Sequence, residues 1–389
     1  MSGLQNNLKQ KEQIDSNCNT QIIQKQSRDL GLDQYRFLLK TIVSSGLGEE
    51  TYGPRNVVDG REEFPSENDA HAEMDEIMFS TLDNLFEKTG VYPSVIDILV
   101  INISLFSPAP SLTSRIINRY KMVAIDLVQQ LFKTYKNQFA IVVSTESIAR
   151  HRYCGKEKSM MLSNCLFRNG GWSILLTNKR GLKDRCLLKL KCTVRPNIGY
   201  DDEAYGCFRL TKSIIKAVTK AFTENSKLLL PKILPVSELL RYAISTLGKK
   251  STEGQNLSFN LNLKSGVDYF CFHPGGKALI DRLGKSLGLS EYDLEPTRMT
   301  LYRFGNTSAS GLWYILSYME AKKRLKKGDK ILVVGLGAGF MCNNCVWEGL
   351  GRLLDEYPRK DLVNPFTEKY SWTNDECLNF VRIDNRMCY

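Results

Sequence analysis

Short apolar runs rich in β-branched residues alternate with segments of helical period along this chain, and this alternation restricts the folds that it can adopt. The predicted strands lie at 96–106, 139–145, 172–178, 186–194, 269–273 and 330–337. The predicted helices lie at 74–90, 123–135, 277–288 and 310–328. Strands that are joined by helices can run parallel to one another, so the pattern predicts an α/β fold with largely parallel sheets.

The alternation occurs in both halves of the 389-residue chain, which is long enough for two domains of ordinary size. A polar, glycine-containing stretch, "RPNIGYDDEAYGC" (195–207), separates the halves. The sequence therefore predicts two similar α/β halves, at 29–208 and 209–389. Residues 1–28 are rich in Gln, Asn and Lys, and they predict a polar disordered tail.

Charge and cysteine content narrow the classes of partner. The formal charge of +11 and the isoelectric point near 9.0 favour attraction to polyanions. The basic residues are dispersed, without zinc-finger spacing or the aromatic-basic pattern of RNA-binding modules, so no nucleic-acid partner is expected. The chain has 11 cysteines, which is an odd number, and they are scattered through apolar segments. This distribution indicates reduced thiols and not a disulfide framework. No apolar run reaches the ~18 residues that predict a membrane span.

One of the chain's three histidines is a candidate functional residue. His71 and His151 are expected at the surface. His273 ends the strand predicted at 269–273 and precedes "PGG", so its ring is expected at a strand-to-loop junction, where sites are often built. A lone histidine in such a position is more often structural than catalytic, unless a partner can be named.

Asn306, in "YRFGNTSASGLWY", is an available partner. It is predicted to follow a strand that ends at Arg303 or Phe304, and Gly305 allows the backbone to turn sharply. The alternative is that Asn306 or Ser308 only caps the helix that follows. The residue pattern alone favours the cap.

The stretch "VVGLGAGFMCNNC" contains Gly335, Gly337 and Gly339, which have some likeness to the glycines of a dinucleotide-binding loop. Their spacing is GxGxG, and no opening βαβ unit with a distal acid accompanies them, so no dinucleotide is expected. The pattern instead predicts a glycine-rich loop whose backbone approaches a ligand. Cys342 and Cys345 form a CxxC without a second pair, so no zinc site is expected.

Six motifs together resemble the plant 3-ketoacyl-CoA synthases, the condensing enzymes of very-long-chain fatty acid elongation. The motifs are "SSGLGEETYGP", "SLFSPAPSLTSRIINRYKM", "VVSTESI", "KSMMLSNCLFRNGG", "RMTLYRFGNTSAS" and "GLGAGFMCNNCVWE", and the resemblance extends over 37–348. It implies a thiolase-like duplicated fold, with two related halves of layered sheets and helices. It also implies an acyltransferase that condenses a long-chain acyl-CoA with malonyl-CoA and needs no cofactor beyond these CoA thioesters.

The resemblance also implies partners and a location. Family members would pair with this chain as a homodimer or heterodimer, and the family belongs to the endoplasmic reticulum membrane. Because no span is predicted here, a peripheral membrane contact through the basic surface and a cytosolic location both stay open.

The family uses a Cys-His-Asn set. The cysteine thiolate accepts the acyl group, and the His and Asn stabilise the enolate oxygen that forms when malonyl loses carbon dioxide. His273, in "FCFHPGG", matches the catalytic histidine, and Asn306, in "RFGNTS", matches the asparagine. Nothing matches the cysteine.

The missing nucleophile coincides with a missing segment. In the family, a strand and a glycine-rich turn that carries the cysteine lie between the segments that resemble "IINRYKM" and "VAIDLVQQLF". Here Met122 is followed directly by Val123. The stretch 114–135 has the period of one long helix, but the resemblance divides it into two elements whose connecting strand is absent.

Two consequences are expected. Condensation would be lost or reduced by orders of magnitude, because the covalent route has no nucleophile, whereas His273 and Asn306 would still promote decarboxylation of malonyl-CoA. The deletion would also open a gap in a parallel sheet, at a cost in packing energy. Two alternatives stay open: a non-catalytic homologue that pairs with and regulates an active synthase, and an incomplete gene model or decaying duplicate.

Overall fold

The computed structural model describes residues 2–3, 13–14, 31–48, 51–120, 132–194, 213–247, 262–337 and 341–350. Its helices are α1 (Leu32–Ser44), α2 (Arg55–Val58), α3 (Glu67–Thr89), α4 (Leu112–Tyr120), α5 (Lys158–Leu166), α6 (Ser213–Ile233), α7 (Val236–Leu247), α8 (Lys277–Leu287), α9 (Glu291–Phe304) and α10 (Gly311–Ala321). Its strands are β1 (Ser2–Gly3), β2 (Gln13–Ile14), β3 (Thr51–Tyr52), β4 (Ile98–Asn102), β5 (Phe139–Thr145), β6 (Gly171–Thr177), β7 (Leu188–Val194), β8 (Tyr269–Phe272), β9 (Lys330–Gly337) and β10 (Met341–Gly349). No helix in these ranges combines the length and hydropathy of a membrane span.

Two four-stranded sheets organise the chain, and each contains the same succession of strand directions. The first has the order β1-β6-β5-β4, in which β4 and β5 are parallel and β5 and β6 are antiparallel. The second has the order β7-β10-β9-β8, in which β8 and β9 are parallel and β9 and β10 are antiparallel. The repetition confirms the prediction of an α/β fold with two internally similar halves.

The expectation of largely parallel sheets is wrong. Each sheet has one parallel pair, and its remaining pairs are antiparallel. The β9–β10 connection shows the reason: three residues, 338–340, separate the strands, and a parallel crossover needs a much longer connection. Strand β7 lies before the predicted boundary at 208/209, yet it pairs with β10 in the second sheet. The boundary itself falls outside the described residues and stays a prediction.

The strand expected before Gly305 is also wrong, because Gly305 follows helix α9. A capping box starts this helix: Asp293 N–H donates to Ser290 Oγ, and Ser290 N–H donates to Asp293 Oδ2 at 2.8 Å. Leu294 and Leu301 of α9 are buried in the core of the second half. This packing keeps the segment helical although it includes Pro296 and four threonine or tyrosine residues of weak helix propensity.

Helix α10 lies between the two sheets, the arrangement that the resemblance implied. Ile315 and Met319 pack with Ile331 of β9. On the side of the first sheet, the rings of Tyr314 and Trp172 meet edge to face with centroids 5.1 Å apart. A helix with apolar residues on every side is stable in water only when it is covered on every side, as α10 is here.

The first sheet has no gap between its described strands. β4 pairs directly with β5 over five residues, from Ile98 opposite Ala140 to Asn102 opposite Ser144, and among the described strands β4 forms an edge of the sheet. The expected hole inside the sheet is therefore not found in the described ranges. A strand lost from an edge removes pairing partners but opens no hole between other strands. The junction of Met122 and Val123 falls in 121–131, outside the described residues, so the division of the stretch 114–135 stays a prediction.

Candidate active site

His273 lies at the carboxyl end of β8, at the strand-to-loop junction that the sequence predicted. Its backbone N–H donates to Val334 O at 2.9 Å, which extends the pairing of β8 with β9 by one residue. The side chain is only 9% exposed, and a Cβ added at Gly275 would lie 3.1 Å from its Cδ2 atom. The glycine therefore leaves room along the edge of the imidazole.

The imidazole of His273 is neutral at neutral pH, because burial lowers its pKa to about 4. Neither ring nitrogen forms a hydrogen bond to a residue within the described ranges. A neutral imidazole carries one N–H donor and one acceptor nitrogen. His273 can therefore donate a hydrogen bond to an oxygen that gains negative charge during a reaction.

Asn306 is held by its backbone between the two halves. Its N–H donates to Leu166 O at 3.0 Å, and its carbonyl accepts from Arg168 N–H at 3.0 Å. These two hydrogen bonds pair Asn306 with Phe167, the residue that follows α5, as in a parallel β-bridge. Its Oδ1 atom accepts from Ser308 N–H at 2.9 Å. This contact closes a turn two residues long, and the N-cap of α10 is Ser310, so the expectation that Asn306 or Ser308 caps the helix is wrong. The Nδ2 group donates to no residue in the described part of the chain.

The segments that carry His273 and Asn306 meet at the end of α5. Leu166 accepts the Asn306 N–H, and its Cδ1 atom lies 3.6 Å from the position of a Cβ added at Gly276. Pro274 packs closely on Gly311, where an added Cβ would lie 2.6 Å from the proline Cγ. The fold therefore brings the two residues matched by the resemblance into one region, although they are 33 positions apart in the sequence.

Arg168 places a buried cation beside this region. Its side chain would collide with a Cβ at Gly305, and Gly305 has a φ of 69°, so two constraints require glycine there. The guanidinium donates to Thr51 Oγ1 at 3.0 Å and to the carbonyls of Asn164 and Phe167. The pKa of Arg168 is lowered by burial to about 10, so the side chain stays charged at neutral pH.

No carboxylate forms an ion pair with Arg168 within the described ranges. The carbonyls at the end of α5 provide part of the compensating negative charge. Arg168 also lines a small surface cleft with residues of the turn at 53–54 and the loop at 148–152. Arg168 thus contributes a cationic residue to the lining of this cleft.

Two buried glutamates, which no motif in the sequence singles out, shape the loop after β5. Glu146 accepts from Leu105 N–H at 2.6 Å and lies 3.5 Å from the Ser308 hydroxyl, so it links the first half to the loop that carries Asn306. Glu73, on α3, accepts from Ile148 N–H and from the Ser147 hydroxyl at 2.8 Å. Glu146 was visible within "VVSTESI", but its acceptor role depends on N–H groups far away in the sequence.

Glu73 is expected to make stability depend on pH. Burial raises its pKa from 4.5 to about 7, so the folded chain holds a proton that the unfolded chain releases. The resulting stabilisation is complete below about pH 4.5 and is lost as the pH rises to about 7, a change of roughly 3 kcal/mol. Denaturant unfolding of the parent protein and Glu73→Gln at about pH 5 and about pH 7.5 measures it.

The variant is needed because His273, whose pKa is lowered, contributes a slope of opposite sign: its stabilisation is lost as the pH falls from 6.5 to about 4. The difference between parent and Glu73→Gln isolates the glutamate. An identical difference at both pH values would contradict the predicted proton uptake.

The other two histidines differ in burial. His151 is exposed, as expected, and its Nε2 atom lies 2.7 Å from Leu105 O. His71 was also expected at the surface, but its side chain is 18% exposed and its ring meets the Phe106 ring edge to face. That expectation is wrong because α3 turns this position toward the first sheet's core.

The glycine-rich stretch forms part of a hairpin. Gly335 and Gly337 lie in β9, opposite Asn343 and Met341 of β10, and Gly339 lies outside the described residues. A Cβ at Gly335 would lie 3.3 Å from Asn343 O, so the glycine permits close approach of the neighbouring strand. Ligand binding by these three glycines stays a prediction, as does the absence of a further cofactor.

Burial affects the thiols of several cysteines in the described ranges. Burial raises the pKa of Cys165 to about 11 and that of Cys342 and Cys345 to about 12. Cys271, two residues before His273, is fully buried, and its thiol pKa lies well above the ordinary value. A thiol must ionise to act as a nucleophile, so these burial sites oppose that chemistry.

Comparison with known protein families divides the chain into two parts. Residues 7–251 match the family described as FAE1/Type III polyketide synthase-like protein. Residues 260–348 match the C-terminal part of 3-oxoacyl-acyl-carrier-protein (ACP) synthase III. The first match includes Arg168, and the second includes His273 and Asn306.

Several curated proteins of Arabidopsis thaliana are similar to this chain over most of their length. 3-Ketoacyl-CoA synthase 19 is 52% identical, with 96% of this chain and 90% of the relative covered. 3-Ketoacyl-CoA synthase 12 is 46% identical and 3-ketoacyl-CoA synthase 3 is 44% identical, each with 90% of this chain and 85% of the relative covered.

The aligned length with 3-ketoacyl-CoA synthase 19 is 421 residues, which exceeds the 389 residues of this chain by 32. At least 32 residues of that relative therefore have no counterpart here.

Proposed function

This chain belongs to the FAE1/Type III polyketide synthase-like family that includes the 3-ketoacyl-CoA synthases, and from this premise we propose that it is a condensing-type synthase of very-long-chain fatty acid elongation whose condensation step is disabled. The observation that carries the proposal is the combination of a retained His273 and Asn306 with no residue that matches the nucleophilic cysteine. The relative's additional aligned residues support a deletion in this chain.

The ligands are a long-chain acyl-CoA and malonyl-CoA, as the names and family of the relatives support, and only malonyl-CoA is turned over. Both ligands carry anionic phosphates, and malonyl-CoA also carries a carboxylate. The buried guanidinium of Arg168, which lacks a carboxylate partner in the described ranges, favours the approach of such a group. The dispersed positive charge of the chain attracts the same ligands at longer range.

Two groups of this chain suit the decarboxylation step. When malonyl-CoA loses carbon dioxide, the electron pair of the breaking C–C bond passes into the thioester carbonyl and forms an enolate. The neutral His273 imidazole and the unused Nδ2 amide of Asn306 are donors that can stabilise the enolate oxygen. Proton transfer from water to the enolate carbon then gives acetyl-CoA.

Condensation needs one more participant. The enolate must attack an acyl group, and in the family that group is held as a thioester on the cysteine that this chain lacks. With no acyl-enzyme, the enolate has only a proton to react with. The proposal therefore assigns residual malonyl-CoA decarboxylation to this chain in place of chain elongation.

Decarboxylation supplies the test. Purified protein is expected to release carbon dioxide from malonyl-CoA slowly, and His273→Ala is expected to reduce the rate at least about 100-fold, because loss of one oxyanion donor typically costs that much. Release of ¹⁴C-labelled carbon dioxide measures it. His71→Gln, which changes a histidine that the resemblance does not match to the catalytic set, serves as the matched control and is expected to keep the parental rate.

Two outcomes would count against this assignment. If the parent protein releases no carbon dioxide above the buffer rate, His273 and Asn306 do not act on malonyl-CoA. If His273→Ala is as active as the parent, any release comes from another group.

A second candidate function is that of a non-catalytic partner for an active synthase. The unpaired outer edge of β4, in the described part of the first sheet, favours it, because an exposed strand edge can pair with a strand of another chain. Homodimers would use the same edge. In this second candidate function too, the chain is associated with the endoplasmic reticulum, as the resemblance implies.

A further inference from the structure

Within the described ranges, one face of helix α7 packs against the core of the second half. It follows α6 after a single turn at Leu234 and Pro235. Leu239 and Tyr242 lie partly buried against the core that includes Val267 and Ile233. These contacts fix the orientation of the helix, so its opposite face can be identified.

The opposite face of α7 is apolar and exposed. Val236, Leu240 and Ile244 follow one another at intervals of four residues, and they are 70%, 58% and 71% exposed. Leu228, on the adjoining helix α6, is 54% exposed. Residues four apart lie on the same side of a helix, so the three side chains of α7 form one continuous stripe.

Packing against the core explains why one face of α7 is apolar, but it does not explain why the opposite face is apolar too. Single exposed aliphatic residues are common, but an aligned set indicates a surface that is covered in use. α10 is also apolar on all sides, and the two sheets cover it. α7 has such cover on one face only within the described ranges.

The charge of the surrounding segment indicates what covers the stripe. Between residues 213 and 250 there are seven Lys and Arg residues and two Glu residues, a net charge of +5. Lys227 is paired with Glu224, and Arg241 with Glu238, which neutralises both acids. The basic side chains that remain, including the exposed Lys232, favour an anionic surface.

We propose that α7 lies along the interface of an anionic phospholipid bilayer, with Val236, Leu240 and Ile244 inserted among the acyl chains. Aliphatic side chains on one face and basic residues around them are the combination that binds such interfaces. The proposal concerns attachment to lipid, and it holds whether or not the chain condenses its substrates.

Vesicle co-sedimentation of the full chain tests this proposal. Vesicles of phosphatidylcholine with and without phosphatidylserine are used, and a triple variant carries Val236→Gln, Leu240→Gln and Ile244→Gln. The parent is expected to bind vesicles that contain phosphatidylserine. The triple variant is expected to bind them at least about 100-fold more weakly, because it has no aliphatic side chains at these three positions to transfer from water into the bilayer. Glutamine keeps the helix propensity high, and circular dichroism checks that the variant is folded.

The matched control changes three exposed apolar residues elsewhere, as Phe64→Gln, Val95→Gln and Leu190→Gln. It is expected to bind like the parent. Equal binding by the parent and the α7 variant would overturn the proposal. It would also be overturned if the α7 variant changed a dimer into a monomer in analytical ultracentrifugation while vesicle binding stayed the same, since a second copy would then be the occupant.

Discussion

Purified protein supplied with a long-chain acyl-CoA and malonyl-CoA is expected to form 3-ketoacyl-CoA at least about 10⁴-fold more slowly than the Arabidopsis 3-ketoacyl-CoA synthase 19 under the same conditions. The physical reason is the loss of the covalent step. Removal of a nucleophile from a set of cooperating groups typically costs on the order of 10⁴ to 10⁶ in rate, and the remaining groups do not replace it. Quantification of the 3-ketoacyl-CoA product by mass spectrometry measures the difference.

The same assay distinguishes a disabled synthase from a regulatory partner. Added to the Arabidopsis enzyme, a disabled synthase leaves the rate per active enzyme unchanged, whereas a partner changes that rate and is recovered bound to the enzyme. Product formation by this chain alone at an ordinary rate would contradict both interpretations.

Insertion of the segment that family members carry between the equivalents of Met122 and Val123 is expected to restore condensation by on the order of 10⁴-fold. His273 and Asn306 are held in one region by the contacts at Leu166, so the insertion only has to supply the nucleophile. Its return as an edge strand would displace no strand of the described sheet. The rate of 3-ketoacyl-CoA formation by the chimaera is the measurement.

The matched control for this insertion is the same chimaera with its inserted cysteine changed to alanine. It is expected to match the chimaera in thermal stability and to stay inactive. An active alanine chimaera would show that the insertion restores the fold rather than the nucleophile. A folded but inactive cysteine chimaera would show that further differences disable the site.

Much of the fold could be predicted from period and residue type. The strands at Phe139–Thr145 and Lys330–Gly337 were predicted with the bounds that the structure has. Both are continuous apolar β-branched runs, and the signal is strong because their residues are buried on both faces. The position of His273 after β8 followed from the same kind of signal.

Strand directions and two elements could not be predicted in this way. β10 contains Asn343, Asn344 and Gly349, and it is a strand because β9 and β7 pair with both of its edges. Residues Thr300 and Tyr302 favour strand, yet the capping box and the buried face of α9 make this segment helical. In each case contacts between distant residues outweigh local propensity.

The candidate site was predictable only through the resemblance. The residue pattern favours Asn306 as a helix cap, whereas its Oδ1 atom closes a turn with the Ser308 N–H before the helix begins. The fold determines the surroundings of three side chains by bringing together groups from both halves. These side chains are the amide of Asn306, the guanidinium of Arg168 and the carboxylate of Glu146. A single sequence does not contain those distances.

The mass of the intact protein after incubation with a long-chain acyl-CoA tests the central claim most directly. The account predicts no covalent acyl group on any of the 11 cysteines, while the Arabidopsis relative gains one hydroxylamine-sensitive acyl group under the same conditions. A single acyl thioester on one cysteine of this chain would contradict it.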